Sequence, residues 1–259
     1  VFGDWSSDVC SSDLPTPGMR LSRIHTAQAL VPGSEVEMDA RACRYLSQVL
    51  RLRAGQSIVL FNGDGRDCAA ELTRCDRRGC TARIGNVLST ESQARLPIHL
   101  GIGISRGERM DFAIQKSVEL GVQALTPLTT SRSVVQLTSE RRDKRMEHWQ
   151  GVIISACEQC GRSRLPVLHP PLSLGDWLNG QPTGLLLYHE AAHTLATVAP
   201  PEGTLNLLIG PEGGLGEDER NLAIRSGFTD VRLGPRVLRT ETAPLAALAA
   251  IQVLWGDFR

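Results

Sequence analysis

The amino-acid sequence predicts an α/β protein with a small β-rich part followed by a larger part built on a parallel sheet. Between residues 20 and 90, short stretches of alternating apolar and polar residues are separated by turn signals. From Pro97 onward, continuous apolar runs alternate with helical patterns or glycine-rich loops. Such continuous runs are typical of strands in a parallel sheet that helices cover on both faces.

Three strands and one helix are predicted in the β-rich part. The helix is Asp39–Leu50, and a turn after it would leave Arg51 and Arg53 at a domain edge. The strands are Ser57–Asn62, Cys68–Thr73 and Cys80–Val87, with turns at Asn62–Gly65 and Arg77–Gly79. Short strands joined by tight turns indicate a small barrel.

Five strands and a terminal helix are predicted in the second part, after a polar linker at Ser89–Leu96. The Ala-rich stretch Ala243–Leu254 is shorter than the roughly 20 residues of a membrane span, so it is interpreted as a core helix and no membrane association is expected. The predicted strands are Ile98–Ile104, Ala124–Leu128, Gly184–Tyr188, Leu205–Ile209 and Asp230–Leu233.

Glycine-bearing or polar loops follow three of these strands, at Leu187–Glu190, Ile209–Gly214 and Leu233–Thr242. Ligands of parallel sheets bind beyond the carboxyl ends of the strands. A glycine at this position lets an adenine or a ribose contact backbone N–H and C=O groups directly, because no side chain lies between them. Tight turns and helix caps would explain one such loop, but three of them indicate a binding site.

Two other motifs are weaker. Gly101, Gly103 and Gly107 miss the spacing of a dinucleotide-binding loop, and no phosphate-binding G-x-x-x-x-G-K-[ST] occurs. Cys157 and Cys160 fall within a helical pattern without further metal ligands at suitable spacing, which favours packing over a zinc or redox role. No metal is therefore expected.

The charge and the cysteine content bear on the expected binding partner and on the expected cellular compartment. Residues 19–95 contain twelve arginines and eight acidic residues, and 26 of the 28 basic residues are arginine. Arginine suits phosphate contacts, although GC-rich coding explains its abundance equally well. Seven cysteines without secretory context indicate a reducing cytoplasm. Residues 1–18 lack the features of a signal peptide and are interpreted as a non-native or disordered leader.

Four segments together form a recognisable set of motifs. The segments are Ser105–Val122 (SRGERMDFAIQKSVELGV), Ala156–Arg162 (ACEQCGR), Leu208–Gly214 (LIGPEGG) and Leu233–Ala243 (LGPRVLRTETA). In order and spacing they resemble the 16S ribosomal RNA uridine-N3 methyltransferase family, of the SPOUT class, and the resemblance extends from Met19 to the C-terminus.

The resemblance implies a PUA-like RNA-binding β-barrel at residues 19–90 and a SPOUT α/β methyltransferase domain with a trefoil knot at residues 97–259. It further implies a homodimer that binds S-adenosylmethionine and acts on 16S ribosomal RNA or the small ribosomal subunit. The implied cofactor-binding residues lie in the three loops and comprise Leu187, His189, Ile209, Gly210, Pro211, Gly213, Gly214, Leu233, Gly234, Val237, Leu238, Arg239, Thr240 and Thr242.

Three residues are candidates for catalysis. Glu212 and Glu241 are the carboxylates nearest the implied methyl donor and could accept the N3 proton of uracil. Each has a structural alternative, because Glu212 could bond the start of the helix after its loop and Glu241 could cap the terminal helix. Lys116 matches a cation that approaches the substrate in related enzymes, or it forms a surface pair with Glu119.

RNA contacts are expected from arginines. Arg51 and Arg53 lie at the predicted domain edge, and Arg132 and Arg162 follow a strand end and a helix end where a phosphate could bind. Arg23 completes the predicted RNA-binding set. A noncatalytic ribosome assembly factor, and a SPOUT methyltransferase with another RNA target, remain as alternatives.

Overall fold

The computed structural model describes residues 21–133, 139–181 and 183–258, so the predicted leader lies outside the described residues. Within these ranges the chain forms two sheets. One belongs to residues 21–90, called the N-terminal part below, and the other to residues 97–258, called the C-terminal part. No helix of the described ranges combines the length and apolar character that crossing a membrane requires.

The N-terminal sheet has five strands in the order β1-β3-β4-β5-β2. All neighbouring pairs are antiparallel except β1 with β3. The strands are β1 Arg23–His25, β2 Glu35–Glu37, β3 Ser57–Phe61, β4 Arg66–Asp76 and β5 Gly79–Thr90. The three predicted strands are confirmed as β3, β4 and β5, while the short β1 and β2 were not predicted.

The predicted helix of the N-terminal part is confirmed, with an unexpected second half. Helix α1, Ala40–Arg44, begins after Asp39, whose carboxylate accepts a hydrogen bond from the backbone N–H of Ala42 at 2.7 Å. It continues as a π-helical turn at Tyr45–Val49. Arg51 follows this turn with a left-handed backbone, φ +55°.

The C-terminal sheet has eight strands, and all their pairings are parallel, as predicted. The order β11-β13-β10-β12-β6-β7-β8 places β12 centrally, and β9 pairs with β7. The strands are β6 Ile98–Gly103, β7 Ala124–Thr129, β8 Val167–Leu168, β9 Leu172–Ser173, β10 Gly184–Leu187, β11 His193–Thr194, β12 Leu205–Ile209 and β13 Phe228–Arg232.

Helices cover both faces of this sheet. The helices are α2 Gly107–Glu119, α3 Ser139–Cys160, α4 Leu174–Asn179, α5 Glu217–Arg225 and α6 Thr242–Leu254. One core contains Ile114, Trp149 and Leu248 of α2, α3 and α6, and the other contains Trp177 and Ala223 of α4 and α5. Burial on both sides explains why the strands read as continuous apolar runs.

Gly101 and Gly103 allow neighbouring segments to pack closely against β6. A Cβ atom at Gly101 would lie 2.7 Å from the Trp177 ring, and one at Gly103 would lie 2.3 Å from the backbone nitrogen of Pro211. These glycines therefore let α4 and the loop after β12 approach the sheet closely. The rejection of a dinucleotide-binding loop agrees with this placement.

Cys157 also packs, since it is buried beside Ile153 and Ala156 in the core. Burial raises the pKa of its thiol to about 12, which keeps the sulfur protonated and unreactive at neutral pH. Within the described ranges, no group of three or more His, Cys, Asp or Glu side chains is arranged to hold a metal ion.

A polar joint connects the two parts. Arg23 pairs with Asp67 and donates to the carbonyl oxygen of Arg162 at 3.0 Å. Arg162 in turn donates to the carbonyl oxygens of Val118 and Val122 at 3.0 and 2.7 Å, at the end of α2. The Arg23 and Arg162 side chains are only 12% and 13% exposed. These two predicted RNA-binding residues therefore also have an internal, structural role.

Candidate active site

The three predicted loops meet at one edge of the C-terminal sheet. Strands β13, β10 and β12 are neighbours and run in the same direction, so their carboxyl ends lie side by side. The loops that follow them enclose a cavity of about 940 Å³. This volume lies within the range typical of small-molecule sites.

All the residues predicted to bind the cofactor line this cavity except Gly234 and Thr242. The cavity is also lined by Glu212, Glu241 and Arg132, but not by Lys116 or by the other predicted RNA-binding residues. Gly234 does not line the cavity, but its left-handed φ of +108° determines the path of the loop whose later residues do.

Thr240 joins two of the loops to the end of β6. Its hydroxyl donates to the carbonyl oxygen of Gly210 at 3.1 Å and lies 3.3 Å from the hydroxyl of Ser105. Thr240 is buried, so these bonds are shielded from water. The loop after β13 is thereby held against the loop after β12.

The glycines of the second loop have distinct functions. Gly210 packs against the backbone of Gly214 and Leu215 with no room for a side chain, since a Cβ atom would lie 3.0 Å from the Leu215 nitrogen. Gly214 has φ +67°, and a Cβ atom there would meet nothing within 4 Å. Gly214 thus combines a left-handed backbone with open space around its Cβ position, and it lines the cavity.

Glu212 links the second loop to the start of α2. Its Oε1 accepts a hydrogen bond from the backbone N–H of Arg106 at 3.0 Å and lies 3.5 Å from the Arg109 guanidinium. The alternative that Glu212 bonds the helix after its own loop is therefore wrong. Glu219 has that function, since its Oε2 accepts from the N–H of Gly216 at 2.9 Å.

The surroundings of Glu212 favour its charged form. Burial opposes ionisation, but hydrogen bonds from the backbone of Arg106, from its own backbone and from the Ser105 hydroxyl, with the charge of Arg109, hold the pKa of Glu212 below its usual value. A carboxylate with a lowered pKa is a weak proton acceptor. The Oε2 atom of Glu212 is buried without a hydrogen-bond partner among the described residues.

Glu241 stands at the start of α6 without capping it, because its side chain makes no hydrogen bond to the first turn. The capping alternative for Glu241 is therefore wrong. Its Oε2 is also buried and unpartnered within the part of the chain that the structure describes. An orphaned buried carboxylate oxygen at a cavity is satisfied most simply by a ligand or an ordered water.

Several lining residues had no signal in the sequence pattern. Arg109 comes from the first turn of α2, and Arg220 of α5 lies over the Tyr188 ring at 4.5 Å. Arg236 lies in the loop after β13, where the glycines and carboxylates carry the recognisable pattern. Helix residues such as Arg109 and Arg220 reach the cavity only through the packing of α2 and α5 on the sheet.

The remaining predicted residues lie at the edge of the cavity or away from it. Arg132 donates to the carbonyl oxygen of Gly213 at 3.1 Å. Lys116 forms the alternative pair with Glu119, at 2.7 Å from Oε1. Arg51 and Arg53 are exposed in the N-terminal part.

Family models match most of the chain. An RNA methyltransferase domain matches residues 92–252, and an RNA methyltransferase PUA domain matches residues 39–85. A ribosomal RNA small subunit methyltransferase E of Buchnera aphidicola from Schizaphis graminum is 32% identical over 241 residues, with 92% of this chain and 98% of that protein covered.

Solved structures agree with these matches. A ribosomal RNA small subunit methyltransferase E of Neisseria gonorrhoeae, bound to S-adenosylmethionine, is 40% identical with a TM-score of 0.86, covering 92% of this chain and all of that one. A methyltransferase of Legionella pneumophila, in complex with the same cofactor, is 38% identical with a TM-score of 0.89 and the same coverage.

Proposed function

The chain belongs to the ribosomal RNA small subunit methyltransferase E family, and we propose that it transfers a methyl group from S-adenosylmethionine to N3 of a uridine in 16S ribosomal RNA. The observation that carries the proposal is the cavity of about 940 Å³ formed by the three strand-end loops. These loops contain two of the sequence segments that resemble the family.

The cavity suits the proposed cofactor chemically. Backbone groups around Gly210 and Gly214 offer contacts to the adenine and ribose, and Leu187 and Leu238 add apolar surface. The unpartnered oxygens of Glu212 and Glu241 match the positive charge of the ammonium and sulfonium groups. When bound, the cofactor supplies an electrophilic methyl group.

The residues of the chain must then orient the uridine, exclude water and remove the N3 proton. We assign proton removal to Glu241, directly or through a water, because Glu212 is held by Arg106 and Arg109 and its pKa lies below the usual value. Glu212 retains a role in fixing the loop against α2. Gly234 and Thr242 support the loop from outside the cavity.

RNA binding is assigned to the N-terminal part and to the edge of the cavity. Arg51 and Arg53 are exposed on the N-terminal part, and Arg132 stands beside the Gly213 loop. We retain from the resemblance a PUA-like barrel at residues 19–90, a knotted SPOUT domain at residues 97–259, and a cytoplasmic homodimer. In that dimer Lys116 reaches the uridine held beside the partner's donor loops, where its charge would stabilise the developing uracil oxyanion.

The test is to map methylated nucleosides in 16S ribosomal RNA from cells with and without the protein. The proposal predicts one N3-methyluridine that disappears without the protein and returns when purified protein and S-adenosylmethionine are added. Loss of a methyl group from another atom or another RNA would contradict the assigned target. A noncatalytic assembly factor would leave every methylated nucleoside in place and would bind no cofactor.

A further inference from the structure

A second cavity, of about 770 Å³, lies along α2 and borders the same first helical turn as the cavity described above. It is lined by residues of α1, α2 and α3, so it lies where the N-terminal part meets the C-terminal part. Glu108 lines the second cavity and its neighbour Arg109 lines the first. The two cavities therefore both border the first turn of α2, where consecutive residues point about 100° apart around the helix axis.

Phe112 provides the second cavity with an aromatic surface. Its side chain is 41% exposed, although it belongs to a helix whose other apolar side chains, such as Met110 and Ile114, are buried. An exposed aromatic ring at a cavity can stack with a nucleic-acid base of any sequence, because every base has a π-face. Lys116 lies one turn further along α2, with its Nζ 5.9 Å from the centre of this ring.

Gly151 keeps space open on the opposite wall. It lies in the interior of the 22-residue helix α3, where glycine is among the least favourable residues. A Cβ atom at Gly151 would meet nothing within 4 Å, so close packing does not require the glycine. Because Gly151 lines the cavity, a larger side chain there would occupy its volume.

The charges in the second cavity suit a base better than a phosphate. Within the described residues, Glu108 and Glu147 have no ion-pair partner, whereas Arg41 is bound by Glu158 through two hydrogen bonds of 3.0 and 2.7 Å. Free carboxylates repel phosphate but accept hydrogen bonds from the exocyclic amino groups of adenine, cytosine and guanine. Lys144, also at the cavity, supplies a cation for a flanking phosphate.

We propose that the second cavity is a subsite for the substrate RNA that holds one unstacked, amino-bearing base near the methylated uridine, with its ring on Phe112. This inference rests on the proposed RNA methyltransferase function and adds a recognition site to it. The RNA strand would then pass the first turn of α2 between the base subsite and the cavity that is proposed to bind S-adenosylmethionine. Unpaired bases that are splayed from the strand are the usual targets of sequence-specific RNA recognition.

The test fills the cavity without weakening the fold. Gly151→Leu adds a better helix former, so the variant should melt at the same temperature as the wild type or higher. Its equilibrium affinity for unmethylated small ribosomal subunits should fall at least about tenfold, in line with the loss of one stacked base. The affinity for S-adenosylmethionine should be unchanged. Gly175→Ala, at a helical glycine of α4 away from the cavity, should change none of these quantities.

A second pair of variants tests the aromatic surface. Phe112→Ala should weaken subunit binding to a similar degree. Phe112→Tyr should bind subunits with wild-type affinity, because the aromatic ring is retained. RNA affinity within about twofold of the wild type for Gly151→Leu and Phe112→Ala would overturn the subsite, since a stacked base contributes more than that. A changed oligomeric state of Gly151→Leu, measured by light scattering, would also overturn it and assign the cavity to a second copy of the chain.

The readouts keep the two proposals separate. A wild-type protein that binds subunits without methylating them would contradict the proposed enzymatic function, while the affinities of the variants would still decide the subsite. If the wild-type protein methylates normally and the variants bind the subunits with wild-type affinity, only the subsite proposal is contradicted. Replacing flanking adenines, cytosines and guanines of the target by uracil, one at a time, should identify a single position with a loss of about tenfold.

Discussion

Gly214 and Arg51 both adopt left-handed backbone conformations, but the physical consequence differs with the side chain. At Gly214 the absence of a Cβ atom makes φ +67° accessible at no steric cost and leaves open space at the cavity. At Arg51 the same region of backbone space is strained, and Arg51 is the only residue other than glycine with positive φ among the described residues. We therefore expect Gly214 to contribute to ligand binding and the strained conformation of Arg51 to have a different function.

Gly214→Val should weaken S-adenosylmethionine binding by more than about tenfold, or about 1.4 kcal/mol, because the side chain intrudes at the cavity and distorts the loop. Isothermal titration calorimetry measures the effect. Gly33→Val is the matched control, since Gly33 also has positive φ and open space around a Cβ position but belongs to the N-terminal part. Equal affinities of the wild type and a folded Gly214→Val protein would contradict the assigned donor site.

Arg51→Gly should stabilise the protein while weakening RNA binding. Glycine relieves the left-handed strain, which we expect to raise the unfolding free energy by about 0.5–1 kcal/mol in urea titrations. Loss of the guanidinium should lower the slope of log affinity against log salt by up to about one ionic contact, and the Arg51, Arg53 double variant by up to about two.

Arg53→Gly separates the two effects of the Arg51 substitution. Arg53 lacks the positive φ, so its replacement should reduce the salt slope without the gain in stability. A salt slope in Arg51→Gly that matches the wild type would remove Arg51 from the RNA-binding surface. No gain in stability would mean that the strain at Arg51 is relieved elsewhere in the turn.

At the scale of the elements, helix α2 is held at both ends by charged groups from other segments. Glu212 bonds the backbone N–H of Arg106 at its start, and Arg162 bonds the carbonyl oxygens of Val118 and Val122 at its end. A negative charge at the start and a positive charge at the end both complement the helix dipole. Helix α2 is thereby fixed between the cavity of the three strand-end loops and the polar joint with the N-terminal part.

Arg162→Ala should be strongly destabilising, because it removes the guanidinium donor to the carbonyl oxygens of Val118 and Val122 and the buried charge that pairs with Glu91. We expect a loss of about 2–4 kcal/mol in the unfolding free energy. Arg66→Ala is the comparison, since its ion pair with Asp64 is exposed and should contribute little to stability. A similar small loss for both variants would contradict the structural assignment of Arg162.

The sequence patterns predict elements well where the signal is local. The apolar run Leu205–Ile209 coincides with β12, and Asp39 begins the predicted helix. Two-residue strands such as β8, β9 and β11 were missed because they are too short for any periodicity. The cavity edge was predicted for a nonlocal reason, since parallel strands must end on the same side.

Side-chain partners across the chain were not predictable in this way. Arg23 and Asp67 are 44 residues apart, and Arg106 and Glu212 are 106 residues apart. Burial of an arginine depends on such partners, so the position of Arg162 after a helix did not predict its internal contacts. Arg220 reaches the cavity by helix packing and had no local signal either.

At the scale of the whole molecule, the position of Lys116 bears on whether one chain forms a complete active site. Lys116 pairs with Glu119 on α2 and does not line the donor cavity of its own chain. The Lys116 side chain is 31% exposed, and the exposed apolar residues Val253 and Leu254 occur on α6, which packs against α2. A second copy that covers this face would bring Lys116 to the partner's site, as the homodimer proposal requires.

Complementation between two inactive variants tests the shared site. Lys116→Ala and Gly214→Val should each lose methyl transfer, the first for want of the cation and the second through loss of cofactor binding. In a heterodimer of the two, the site that combines the intact Lys116 of the Gly214→Val chain with the intact loops of the other chain is complete. Purification through two different tags isolates heterodimers, which we expect to recover up to about half of the wild-type rate because one of two sites is intact. Isolated heterodimers without activity, formed from folded parents, would show that Lys116 does not act across the interface, and its pairing with Glu119 would then be its function.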